Sequence, residues 1–329
     1  MQKKFVKVAN INIPVNCLHY KTIYVKSKDN SKHGYLFVPC NKCYRCRKRI
    51  ASEWSFRLEQ HSKDNFAYNM LFTYDDDHLP HYRTAEDEVA CLNRVHLQDA
   101  FKRLRYYLQD HLKINVQFFA VGEYGAKTKR PHYHAILFSP IELCCESLEY
   151  LRDVLKENVW PYGYSNITTF KGSASIGKMC GYMVTYMLTT LKDFYNNPFI
   201  RPFRYMSKNL GKHIVNEAKI VEHCRKTGKW SFNITNKDGE VVPVPYPRYY
   251  LKRWLNDEEK FNRFYEYLEN CNNYNHYITD YYEKLSKRCG KNSSSYRRQA
   301  LEYRIAALQR REELYELDNY RKRKVHEHN

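Results

Sequence analysis

No stretch of this 329-residue chain reaches about 20 consecutive apolar residues, so no membrane-spanning helix is expected. The N-terminus, MQKKFVKVANINIPVNCLHY, starts basic but lacks an apolar segment long enough for a secretory signal. The expected compartment is the cytoplasm. No internal repeat recurs at the periods of solenoid folds. Acidic residues are short: 36 Asp and Glu stand against 55 Lys and Arg, a formal net charge of +19. Such an excess favours a polyanion, because each phosphate neutralised by Lys or Arg releases condensed counterions. Anionic membranes and acidic proteins would attract the same charge, so charge alone leaves the partner open. The cysteines number 11, an odd count that fits poorly with a complete disulfide framework. In a reducing compartment they read as free thiols or metal ligands.

What is present points further. Hydrophobic residues make up 43% of the chain, enough for a packed core. Aromatic residues reach 16%, with 31 tyrosines, and stacked rings are one way to hold unpaired bases. Many of these rings are ordinary core.

The pattern reads as α+β: an antiparallel sheet with helices packed on one face, followed by a mostly helical C-terminal region. Residues 1–40 read as short strands and turns. Residues 46–63 predict a helix with Ile50, Trp54 and Leu58 on one face. FAYNMLFTY (66–74) predicts a strand, and Leu97, Phe101, Leu104 and Leu108 place a helix over 96–112. Strands follow at 114–123 and 131–138, a helix at 147–159, a strand at YSNITTF, and a helix over about 176–192. After residue 215 the character changes. SFNITNKDGEVVPVP predicts a hairpin turning at Asp238-Gly239, and from about 248 the chain is polar, Tyr-rich and helical. Two domains are expected: 1–215 with a Cys-rich N-terminal segment, and an accessory region over 216–329 that ends in a basic tail.

KRPHYHAILF (129–138) is the most informative stretch. Residues two apart in a strand share a face, about 6.6 Å apart, so His132 and His134 point together. If FFAVGEYGAKTKRPHYHAILF is a hairpin turning near 126–129, Glu123 falls opposite His132, on the same face and about 5 Å away. One carboxylate and two imidazoles make an open mixed site for Mg²⁺, Mn²⁺ or Zn²⁺, which polarises a phosphate oxygen and orients a scissile bond. The competing reading is a pair of structural histidines among 14.

Some fifty residues on, IGKMCGYMVTYMLTTLKDFY (176–195) places Tyr182 and Tyr186 four apart, about 6 Å along one helix face. Beside a metal-bound phosphate such a tyrosine can attack phosphorus, and a pair can alternate. The same spacing recurs at Tyr20/Tyr24, Tyr246/Tyr250 and Tyr277/Tyr281, so the pair carries weight only with its neighbourhood. GSASIGKM (172–179) nearly matches a phosphate loop, but Met179 stands where Ser or Thr would hold Mg²⁺. An ATPase reading therefore ranks low. Cys40, Cys43 and Cys46 form C-x-x-C-x-x-C, three of the four thiolates of a structural Zn²⁺ site; His33, His61 and Cys17 are candidates for the fourth ligand. The helix that follows carries Arg47, Lys48, Arg49 and Arg57, which with Arg130 are the candidate DNA contacts.

NMLFTYDDDHLP (69–80), GEYG…RPHYHAILF (122–138) and YMVTY (182–186), in that order and spacing, resemble the three motifs of HUH rolling-circle replication initiators. VPCNKCYRCRKRIASEW (38–54), PFRYMSKNLGKHI (202–214) and PRYYLKRW (247–254) resemble the gokushovirus branch of the microviruses, small single-stranded DNA phages. The resemblance implies Mg²⁺ or Mn²⁺ on His132 and His134, with Glu123 at the position of the family's acidic ligand. It also implies a 5′-phosphotyrosyl intermediate on Tyr182 or Tyr186. The implied partners are single-stranded and replicative-form viral DNA in the cytoplasm of a bacterial host, with host helicase and polymerase as further candidates and no membrane. In one respect the chain departs from the family. The family's YVAKYVxK pattern carries lysines where this sequence has Thr185 and Thr189. Lys178, one turn before Tyr182, is the candidate replacement. The alternative reading, of another class, is a non-catalytic zinc-stabilised nucleic-acid-binding protein.

Overall fold

The computed structural model describes residues 6–8, 11–13, 17, 19–26, 33–83, 88–125, 128–169, 201–235 and 239–289. Contacts divide the chain into two compact units: residues 1–50 with 221–329, and residues 51–220. The sequence reading instead grouped the Cys-rich N-terminal segment with 51–215.

The unit of residues 51–220 is built on β5 (Phe66–Tyr74), β8 (Gln117–Tyr124), β9 (Pro131–Ser139), β10 (Gly163–Thr169) and β11 (Phe203–Met206). They form one antiparallel sheet in the order β10-β5-β9-β8-β11, with β9 central. The strand FAYNMLFTY is found at its expected limits. Its alternation explains why: Tyr68, Met70, Phe72 and Tyr74 are buried on one face, while Asn69, Leu71 and Thr73 are half-buried on the other.

The first face is covered by α2 (Arg94–His111) and α3 (Cys145–Val154). Asn93 starts α2, its side chain accepting from the backbone N–H of Val95 and His96 at 2.9 and 3.2 Å. Leu97, Ala100, Phe101, Leu104 and Leu108 form the stripe that turns inward. Phe101 stacks on Phe118 with centroids 3.6 Å apart, and Trp160 packs against Phe72 and Tyr74. Each such ring stabilises the fold by about 2–3 kcal/mol through burial. Lys113, at φ 56, ends the helix in the left-handed region. The helix expected over 147–159 is α3 followed by one wide π turn, Leu155–Val159.

Part of the opposite face is covered by the second half of α1 (Tyr44–His61), whose Ala51, Trp54 and Leu58 pack on Phe119, Val121, Ile136 and Phe138. Arg57 fastens this layer. Its guanidinium lies 4.1 Å from the Trp54 ring centre and donates to Leu210 O at 2.6 Å. Gly211, at φ +57, passes so close that a Cβ would sit 2.3 Å from Arg57 O. A small hairpin absent from the sequence reading, β6 (His81–Arg83) with β7 (Glu88–Ala90), lies between β5 and α2. Three-residue strands are too short to show a period.

The unit of residues 1–50 and 221–329 holds three strand pairs. They are β1 (Val6–Val8) with β2 (Ile11–Ile13), β3 (Lys21–Lys26) with β4 (His33–Val38), and β12 (Ser231–Thr235) with β13 (Val241–Pro245). Its helices are the first turns of α1, α4 (Glu217–Thr227, from Val221 onward), α5 (Arg248–Trp254) and the long α6 (Asp257–Cys289). The hairpin read in SFNITNKDGEVVPVP is β12–β13; Gly239 is at φ +80, while Asp238 lies outside the described residues. Among the described residues no helix is long and apolar enough to cross a membrane.

Candidate metal centre

β8 and β9 pair so that Glu123 stands directly opposite His132, the register expected from the hairpin. His134, two residues on, shares that face, and one ligand atom from each of the three residues lies within 4.8 Å of the others. Glu123 Oε1 is 2.7 Å from His132 Nε2 and 3.2 Å from His134 Nε2. The two imidazoles sit 5.1 Å apart between centroids and nearly perpendicular. Glu123 is buried and the histidines are half-buried, so the cluster is open to solvent on one side.

The hydrogen bonding sets one tautomer. His132 Nδ1 lies 3.1 Å from Arg130 O, and a carbonyl only accepts, so Nδ1 carries the proton. The Nε2 atom that faces Glu123 then presents a lone pair to a carboxylate oxygen. Two acceptors at 2.7 Å need a cation between them. Adjacent ligands of an octahedral cation at about 2.1 Å stand about 3.0 Å apart, between the two measured separations. Two imidazoles and one carboxylate, with an outer hydrogen bond of this kind on His132, suit Mn²⁺, Mg²⁺ or Zn²⁺.

The opposite side of β9 holds these histidines in place. Tyr133, between them in sequence, points to the other face and is fully buried. Its hydroxyl donates to Asn93 O at 2.9 Å and accepts from Asn93 N at 2.7 Å. Tyr74 bonds the same oxygen at 2.9 Å, and burial raises both phenols above the ordinary tyrosine range. Gly122, opposite Tyr133, leaves room for the ring; a Cβ there would lie 3.1 Å from Tyr133 Cε1 and 2.9 Å from Leu92 Cδ2. The sequence reading did not find this anchor, because a tyrosine between two histidines looks the same whether or not its hydroxyl is bonded.

The other expected site residues are placed as follows. Cys40, Cys43 and Cys46 come together with Cys17, while His33 and His61 stay out of that group. His61 packs its ring edge on Phe138 at 4.7 Å. Lys48 and Arg49 are exposed, whereas Arg47 is buried and Arg57 is held by Leu210 and Trp54. Arg130 bonds Tyr74 O through Nε and Nη2 and pairs with Asp76 at 2.6 Å, which ties the end of β5 to the start of β9. Arg204, which the sequence reading passed over, stands opposite Val121 on β11. It is therefore an exposed cation on the face that carries Glu123, His132 and His134. Tyr182, Tyr186, Lys178, Thr185, Thr189 and the GSASIGKM stretch lie outside the described residues.

Residues 69–191, which include all three blocks that resemble the nicking motifs, match the family described as Replication-associated protein ORF2. The chain is a relative of viral replication-associated proteins. It is 28% identical over 286 residues to Replication-associated protein ORF2 of Spiroplasma virus 4, covering 83% of this chain and 82% of that one. It is 32% identical over 143 residues to Replication-associated protein ORF4 of Chlamydia phage 1, covering 40% of this chain and 34% of the relative. Replication-associated protein VP4 of Bdellovibrio phage phiMH2K is 33% identical over 124 residues, 36% of each chain. No solved structure matches the chain.

Proposed function

We propose that this chain is a replication initiator that nicks and rejoins single-stranded DNA at an origin of rolling-circle replication, in a gokushovirus-like microvirus. One observation carries the reading: the Glu123, His132 and His134 cluster on adjacent strands of a relative of replication-associated proteins. Bound there, Mg²⁺ or Mn²⁺ supplies a Lewis acid for a non-bridging phosphate oxygen. Glu123, His132 and His134 hold the ion, and Tyr133 keeps the histidine strand from rotating.

The nucleophile is Tyr182 or Tyr186. A tyrosine oxygen attacks phosphorus, the bond to the 3′ oxygen breaks, and the products are a free 3′-hydroxyl and a 5′-phosphotyrosyl link. The bond energy is kept in that link, so a 3′-hydroxyl can reverse the step and rejoin the strand. Lys178 would lower the cost of the developing phenolate. The topology of the described strands supports this assignment. The chain leaves β10 at Thr169 and next enters the sheet at Phe203, whose cross-strand partner is Gly122, the neighbour of Glu123. The segment with both tyrosines therefore joins the sheet beside the cluster. Lys48, Arg49 and Arg204 are exposed cations suited to phosphate contacts. Residues 1–215 would carry nicking and joining and 216–329 an accessory role, in the cytoplasm of a bacterial host. Replicative-form viral DNA, host helicase and host polymerase would be the partners there.

A second reading, a non-catalytic zinc-stabilised nucleic-acid binder, is favoured by the cysteine group. Incubation with circular single-stranded phage DNA and Mn²⁺, then denaturation in SDS and peptide mapping, separates the two. DNA retained on a peptide containing Tyr182 or Tyr186 supports the enzyme. DNA bound under native conditions but never retained through SDS supports the binder.

A further inference from the structure

We infer that Cys17, Cys40, Cys43 and Cys46 form a mononuclear Zn²⁺ site, with Cys17 as the fourth ligand that the C-x-x-C-x-x-C run lacks. The four sulfurs come from two separate stretches of chain. Cys17 precedes β3, and the other three lie where β4 passes into α1. Four thiolates at the corners of a tetrahedron about 2.3 Å from a zinc ion stand about 3.8 Å apart. Cys17 Sγ lies 3.8 Å from Cys43 Sγ, and Cys40 Sγ lies 3.9 Å from Cys46 Sγ. These two separations are opposite edges of one tetrahedron, and all four sulfurs fall within 4.8 Å of one another.

The spacing also decides between chemistries. A disulfide brings two sulfurs to about 2.05 Å, and the described cysteines are all free thiols. An iron–sulfur cluster spreads its cysteines over several iron atoms and so sets them farther apart than one shared ion does. Simple thiol packing explains two sulfurs in contact, but not four converging from two stretches of chain.

The backbone around the sulfurs is arranged for negative charge. Asn41 adopts φ 59, and the turn it makes aims the N–H groups of Lys42 and Cys43 at Cys40 Sγ, at 3.4 and 3.3 Å. The N–H of Cys40 points at Cys17 Sγ at 3.4 Å. Arg49 holds Asn41 through its side-chain oxygen at 3.1 Å. Cys43 immediately precedes α1 and Cys46 lies in its first turn, where unpaired N–H groups favour an anion. Binding converts four thiols to thiolates, releases four protons and leaves a net charge of −2 on the zinc complex. Arg45 sits close enough that charge on Cys43 and Cys17 acts on its guanidinium, against the lowering effect of burial. Around the sulfurs, Leu36, Phe37, Leu268 and Cys271 close a small apolar core that also includes Cys17 and Cys46. A core of this size gains stability from a metal cross-link, which ties the chain before β3 to the start of α1.

The test uses the full chain, purified without chelator, with metals measured by plasma mass spectrometry. About one tightly held zinc per chain is expected. It should persist in the His132→Ala/His134→Ala variant, which separates it from the metal of the proposed nicking centre. Replacing zinc with Co²⁺ should give the intense thiolate-to-metal absorption of a tetrahedral sulfur site. In Cys17→Ser that absorption should fall by about a quarter, whereas exposed Cys145→Ser should leave it unchanged. If Cys17→Ser does not fold, titration of the wild type with a mercurial should release zinc in proportion to four thiols. Iron in place of zinc, metal lost with His132 and His134, release complete at three thiols, or a Cys17→Ser spectrum identical to wild type would each overturn the assignment.

Discussion

His132 Nε2 lies 2.7 Å from Glu123 Oε1, across a directly opposed pair on neighbouring antiparallel strands. Neither residue depends on a loop for its position. Both stand on strands whose other face is locked into the core. His134 completes the cluster from the same strand, 3.2 Å from the same carboxylate oxygen.

His132→Ala and His134→Ala should each abolish nicking while leaving single-stranded DNA affinity within about threefold, since affinity comes from many scattered cations. Loss of the Lewis acid should cost at least about 3 kcal/mol in the chemical step, roughly a hundredfold in rate. Glu123→Gln should retain the fold and shift the Mn²⁺ titration upward by roughly tenfold or more, since even outer partners of a ligand are worth 10–100-fold. Parallel cleavage and binding assays check this. Equal losses in both would mark the histidines as structural.

Tyr182→Phe and Tyr186→Phe keep the rings and remove only the attacking oxygens. With a single nucleophile, one variant should be inactive and the other near normal. With alternating nucleophiles, each single variant should still cleave but fail to release unit circles. The double variant should bind DNA and form no SDS-stable adduct. A phosphotyrosine mapped to Tyr277 or Tyr281 would move the nucleophile elsewhere.

Tyr133→Phe should destabilise the unit of residues 51–220 by about 1–3 kcal/mol, because Asn93 N–H and O and the Tyr74 hydroxyl all lose a buried partner. That corresponds to roughly 2–4 °C in Tm per kcal/mol. Metal affinity should fall as well, although Tyr133 touches no ligand. Calorimetry with and without Mn²⁺ reads both effects. An unchanged metal-induced Tm shift would show that the histidines keep their place without the anchor.

Arg204→Ala should weaken single-stranded DNA binding and lower the slope of log affinity against log salt by about 0.7, the share of one phosphate contact. Fluorescence anisotropy over a salt series measures it. An unchanged slope would leave Arg204 as a surface cation stacked 5.8 Å from the Trp54 ring.

Much of the sheet was legible because its periods are local. Phe66–Tyr74 alternates over nine residues, and the Leu97, Phe101, Leu104, Leu108 stripe repeats every three or four. Histidines two apart on a strand must share a face, and a hairpin's turn sets which residue stands opposite which. The register of Glu123 and His132 therefore follows from the chain itself. The C-x-x-C-x-x-C run likewise declares three metal ligands without any fold.

Tertiary structure decided what depends on distance in space rather than along the chain. Cys17 stands 23 residues before Cys40, and no local rule prefers it over His33 or His61. Only the packing of the chain before β3 against the start of α1 brings its sulfur within 3.8 Å of Cys43. The same holds for Tyr133, whose bonds reach Asn93 forty residues away, and for Arg130 and Arg57. Those two look like phosphate contacts in sequence but direct donors to Tyr74 O and Leu210 O. A side chain's type fixes which bonds it can make. Which of them it makes is set by the acceptors that the folded backbone delivers to it, because each buried donor must be satisfied where it comes to rest.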